Sequence, residues 1–201
     1  MSPERAALIR AAFRLEWLTA SWLLIEAGIA LASGIAARSL TLVAFGADSV
    51  IELISACVLL WRLDLELRRG AEFAEATERL AARIGAVLLI ALAVYVACSA
   101  AWALWRGAGQ EFSIAGLVLA VLAIPIMLRL ASAKSRIAAA IESAALRADA
   151  AESIACAYLS IIVVIGLCLQ WLTGAWWVDG VAALALVPFL VREAMEAWEA
   201  E

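Results

Sequence analysis

The sequence predicts an all-α integral membrane protein, a bundle of six transmembrane helices with both termini in the cytoplasm. Three observations lead there. The chain of 201 residues is 67% hydrophobic, against about 45–50% apolar in soluble domains, and its mean hydropathy is +0.99. Its apolar runs suit helices, which need about 20 residues to cross a bilayer, and show none of the alternation of membrane β-strands. With the N-terminus inside, thirteen of the fifteen Lys and Arg face the cytoplasm and only Arg38 and Arg106 lie outside, as the positive-inside rule requires.

The elements follow in order. The first span covers 17–37. It follows Arg5, Arg10 and Arg14 and contains Glu26, and its apolar run is too long for a cleavable signal segment. The second covers 40–61. A charged stretch, RLDLELRRGAEFAEATERLAAR, reads as helical extensions joined near Gly70. The third span, 84–105, is followed by the turn RGAGQE. The fourth, 112–130, contains Pro125, which removes a backbone hydrogen bond and predicts a kink. A small polar loop with Lys134 and Arg136 is expected next. The fifth span, 148–172, has room to begin a few turns earlier, and the sixth covers 178–191. Trp102, Trp105, Trp171, Trp176 and Trp177 fall at the outer interface, and Trp17 and Trp61 at the inner one, the usual level of aromatic belts. Residues 1–201 thus form a single transmembrane domain with no room for a soluble one. A multi-pass protein of a bacterial-type inner (plasma) membrane is expected, its cationic inner loops touching phospholipid.

Composition narrows the chemistry. There is no histidine, which removes the commonest transition-metal ligand and the usual proton switch near neutral pH. The four cysteines, Cys57, Cys98, Cys156 and Cys168, lie in apolar segments without a CxxC pair, so neither a disulfide framework nor a zinc ribbon is expected. No nucleophile–base pair or cofactor motif appears and the polar loops are short, so neither an enzyme nor a nucleic-acid partner is expected.

Chemistry then rests on acids inside the spans. Asp48 and Glu52 are spaced i, i+4 in FGADSVIELISACVLLW. Glu152 and Cys156 share that spacing in ADAAESIACAYLS, and Asp149 lies on the same face. A carboxylate in hydrocarbon costs roughly 2.5–3.5 kcal/mol on insertion scales, so two on one face imply a polar cavity. Asp48, Glu52, Glu152 and Cys156 are the candidate metal ligands. Glu26 and Asp149 are auxiliary candidates, as ligands or proton relays. Their simpler readings are a hydrogen-bonded structural acid for Glu26 and a carboxylate favoured by the helix N-terminus for Asp149. Measured along the helices, Glu52 and Cys156 fall at one depth, about 19 and 22 Å from the outer ends, with Glu152 lower at about 28 Å. The predicted site is staggered rather than a compact cage. Asp179 reads as an N-cap acid, and the small residues around Gly28, Gly34 and Gly46 as a close-packing surface. Carboxylates plus a thiol can bind Zn²⁺ tetrahedrally, and Fe²⁺, Mn²⁺ and Cd²⁺ remain open because ligand type discriminates poorly. Metal binding must displace protons from these groups, which couples the two.

Three stretches carry a resemblance to the cation diffusion facilitators: GADSVIELIS, LRADAAESIACAYLS and WWVDGVAAL. Asp48 and Glu52 match that family's second-helix pair. Glu152 stands where the family usually has histidine and Cys156 where it has aspartate. The resemblance implies efflux of a divalent metal, most often Zn²⁺, by proton antiport and alternating access in a homodimer. The cytoplasmic metal-sensing domain of that family has no counterpart here, which is similar to its compact, membrane-only branch. Two readings of other classes stand beside it. One is a non-transporting membrane protein that assembles with a partner. The other is a proton-coupled exporter of organic cations built on Glu26 or Glu52.

Overall fold

A computed structural model describes residues 3–69, 75–107 and 111–199, all within or between six helices: α1 (Pro3–Ala37), α2 (Leu40–Arg69), α3 (Glu75–Arg106), α4 (Ile114–Ile141), α5 (Ala144–Thr173) and α6 (Val178–Glu199). Five of them, α1 to α5, are long and apolar enough to cross a membrane. The expected sixth span is a helix, but from Arg192 onward its sequence is REAMEAWE, and the charges leave it short of apolar length. The join near Gly70 and residues 108–110 of the turn after Arg106 lie outside the described residues.

Every helix outruns its predicted apolar span, because charged turns prolong it without a breaker. The largest departure concerns Lys134 and Arg136. They are not in a loop: α4 continues through ASAKSRIAAAI to Ile141. Alanine, lysine and arginine are strong helix formers, and no glycine or proline interrupts them. The stop comes at Glu142, whose φ of 56° is left-handed and whose N–H bonds to Ala138 O. Ser143 then caps α5, its Oγ accepting from Leu146 N at 3.3 Å. The helix also continues through Pro125.

Helix α1 packs on α2 and α4, α4 packs on α5, and α2 touches α5, so these four surround the main core. Helix α3 pairs with α6, and this pair leans on the four through α2 and α5. Apolar side chains pointing away from the core, such as Leu24, Ile25, Val94, Val118 and Ile165, are exposed, as a lipid-facing surface demands. So are all seven predicted belt tryptophans. Trp102 and Trp105 meet edge to face, with Arg106 stacked 4.4 Å over the Trp102 ring.

The α1–α2 crossing depends on two glycines. A Cβ on Gly34 would fall 2.8 Å from Val43 N, and one on Gly46 would fall 2.9 Å from Leu31 N. Gly28 was expected to share this role and does not, since nothing lies within 4 Å of where its Cβ would be; it faces outward.

Asp179 is also placed differently from expectation. It lies in the first turn of α6, but its carboxylate caps α2. Ser39 Oγ and Leu40 N each donate to it at 2.7 Å, and Thr41 N donates at 3.2 Å. The Thr41 hydroxyl returns a bond to Asp179 O at 2.9 Å. The free N–H groups at the start of α2 are thus satisfied from α6.

Two outcomes are expected in thermal unfolding of the detergent-solubilised protein. Gly46→Leu destabilises it by about 1–3 kcal/mol through overpacking, whereas Gly28→Leu leaves the midpoint unchanged. Asp179→Ala costs about 0.5–2 kcal/mol, the usual range for a lost N-cap.

Candidate cation site

The predicted site residues fall into two neighbouring groups in the bundle interior. Asp48, on α2, is 1% exposed, and both of its carboxylate oxygens are buried without a hydrogen-bond partner among the described residues. Glu52, one turn further along α2, is buried as well. On α5, Cys156 is fully buried and its thiol donates to Glu26 Oε1 of α1 at 3.3 Å. Glu26 is likewise fully buried, and also accepts from Ser49 Oγ at 2.8 Å and from Trp22 Nε1. Ser49 immediately follows Asp48, so α1, α2 and α5 converge here, and Cys156 lies in the electrostatic field of Glu26, Glu52 and Asp48. Glu26, expected only as an auxiliary, therefore sits at the meeting point.

The second group lies toward the end of the bundle that carries the termini. Lys134 of α4 has no exposed surface. Its ammonium pairs with Glu16 Oε1 of α1 at 3.3 Å, with Asp149 Oδ2 of α5, and with Ser153 Oγ at 3.3 Å. Ser153 in turn donates to Asp149 O at 3.1 Å. Asp149 is not the N-terminal acid of a helix, as expected. Helix α5 begins at Ala144, a full turn earlier, and Asp149 is an inward-facing partner of a buried cation. Glu152, half-buried, stands between the two groups in the field of Asp149, Lys134 and Asp48.

Sequence reasoning missed Glu16 and Lys134. Glu16 sits just before the predicted first span and passes for a surface acid beside Arg14. The signal that could have found Lys134 was the unbroken helix-forming run from Ala131 to Ile141, which carries it on a helix rather than in a loop.

The described residues contain no group of three or more His, Cys, Asp or Glu close enough to share one ion as they stand. What they do contain is a buried carboxylate with unused oxygens beside a thiol and two further acids. Hard oxygens and one soft sulfur, without imidazole, suit a divalent cation.

The sequence model of one family, described as the cation efflux transmembrane domain, matches residues 17–199. No curated protein matches the chain.

Removing Lys134 leaves two buried acids facing each other. Lys134→Met is expected to lower stability by about 3–5 kcal/mol, the usual cost of breaking a buried ion pair from one side, read as a fall in the melting midpoint in detergent.

Proposed function

We propose that this chain, which belongs to the cation efflux family, carries a divalent metal cation across the membrane at a site formed by Asp48, Glu52, Glu152 and Cys156. The observation that carries this reading is Asp48: a buried carboxylate with two unpartnered oxygens is costly unless a cation is its partner for part of the working cycle.

In this reading the ion is the substrate. Asp48 and Glu52 approach it from α2, and Cys156 from α5. Glu152, nearer the terminal end, is the next acid along the same α5 face. Rotation of these side chains about an arriving ion draws together groups that stand apart without it. Glu26, already bonded to Cys156 and Ser49, serves as the auxiliary acid of α1. Asp149 is committed to Lys134 and drops out of the ligand set.

Zn²⁺ is the favoured ion, because a mixed carboxylate–thiolate set accepts it without geometric strain; Fe²⁺, Mn²⁺ and Cd²⁺ are the alternatives. Thiol and carboxyl protons must leave as the metal arrives, so exchange of metal for protons supplies the driving force and alternating access moves the site between the two sides. Cytoplasmic termini, a bacterial-type inner (plasma) membrane and a homodimer complete the proposal. They rest on the distribution of Lys and Arg and on the family.

The test is metal uptake into proteoliposomes with a pH indicator inside. Zn²⁺ uptake with opposite proton movement is expected of the native protein. Asp48→Ala/Glu52→Ala should reduce it to the rate of empty liposomes while the protein keeps its melting midpoint. Absence of flux for all four metals from folded protein would overturn the proposal in favour of an assembly role.

A further inference from the structure

Helix α4 contributes none of the candidate ligands, yet among the described residues it supplies the one Lys or Arg whose side chain is fully buried. An ammonium has three N–H donors and no acceptor. Lys134 directs its donors at oxygens on two other helices: Glu16 on α1, and Asp149 and Ser153 on α5. Such a network is a poor source of stability, since apolar residues of similar volume often do as well or better. Its geometry suggests another use.

We propose that Lys134 is a positioning residue of the transport site: its ammonium fixes the rotation of α5 so that Cys156 faces Glu26 and Asp48. The proposal rests on the site reading given above. Asp149 and Ser153 are i, i+4, and Glu152 lies between them, within the turn that Lys134 holds. Cys156 follows Ser153 by three residues and so lies on the same side of α5. A slip of one residue about the helix axis, 100°, would carry the thiol away from its partner on α1. The second attachment, to Glu16, ties the same ammonium to α1, about 15 Å along that helix from Glu26. Lys134 thus sets α1 and α5 against each other from α4 without touching the ion.

The test follows cadmium binding to the purified full-length protein through the ultraviolet thiolate-to-cadmium charge-transfer band. A Cys57→Ser/Cys98→Ser/Cys168→Ser background leaves Cys156 as the only thiol. The comparison variant adds Glu16→Gln/Lys134→Met/Asp149→Asn, which removes the three charges together and strands neither Glu16 nor Asp149 as an unpaired acid. This variant should melt no lower than its parent, yet need at least about tenfold more cadmium to develop the band, a difference of about 1.4 kcal/mol in binding. Ser153→Ala, which removes one contact, should weaken binding in the same direction by a smaller factor. If the neutral variant binds cadmium as its parent does, Lys134 only balances charge, and the proposal falls while the site reading stands. If the parent itself shows no thiolate–cadmium band, the place of Cys156 in the site falls, and this proposal with it.

Discussion

The interior of this bundle depends on how buried carboxylates find positive charge. Glu16, Glu26, Asp48, Glu52 and Asp149 are all buried on helices rich in Ala, Leu, Ile and Val. In hydrocarbon each one needs a partner. Lys134 answers for Glu16 and Asp149 together, and in doing so joins α1, α4 and α5. Hydrogen bonds from Trp22, Ser49 and Cys156 answer for Glu26 and bring α1, α2 and α5 together. Helix order around the core is therefore written in polar contacts as much as in apolar packing, which in a membrane gains nothing from exclusion of water. Asp48 stands apart, because nothing among the described residues answers for it.

That contrast divides one polar interior into two parts. The lysine group holds its own cation, one ammonium shared between the carboxylates of Glu16 and Asp149. The group around Asp48 leaves both of its carboxylate oxygens without a partner among the described residues, the opening that the proposed cation site uses. Two acidic groups about 10 Å apart along α5, by helical rise, thus have opposite characters, and the difference lies in whether the chain supplies its own positive charge.

Much of this was legible beforehand. Apolar runs predicted six spans, of which five are long and apolar enough to cross a membrane, and the i, i+4 pairs pointed to Asp48, Glu52 and Cys156, which are buried in the bundle. Counting residues along α5 also set Glu152 one turn below Cys156. Contacts between helices far apart in sequence were not legible. Glu26 and Cys156 are separated by 130 positions, and no periodicity within either segment reveals that they touch. Lys134 was misplaced because hydropathy marks where a helix leaves hydrocarbon, not where its backbone stops, and Ala-rich charged turns keep the helix going. Asp179 was identified correctly as a capping acid but on the wrong helix, because capping depends on which N–H groups lie near, not on which element the acid belongs to.

The bond between Asp179 and the start of α2 has a mechanical consequence. Three donors hold that end of α2 to the first turn of α6, and separating them would strand the first N–H groups of the helix. Helix α2 is therefore a lever pinned at one end. Measured from Leu40, Asp48 lies about 12 Å along it and Glu66 about 39 Å. Any tilt about the pin sweeps Glu66, now bridged to Arg5 at 3.0 Å, through roughly three times the arc of Asp48. A tilt about that end would therefore move the terminal end of α2 about three times as far as Asp48.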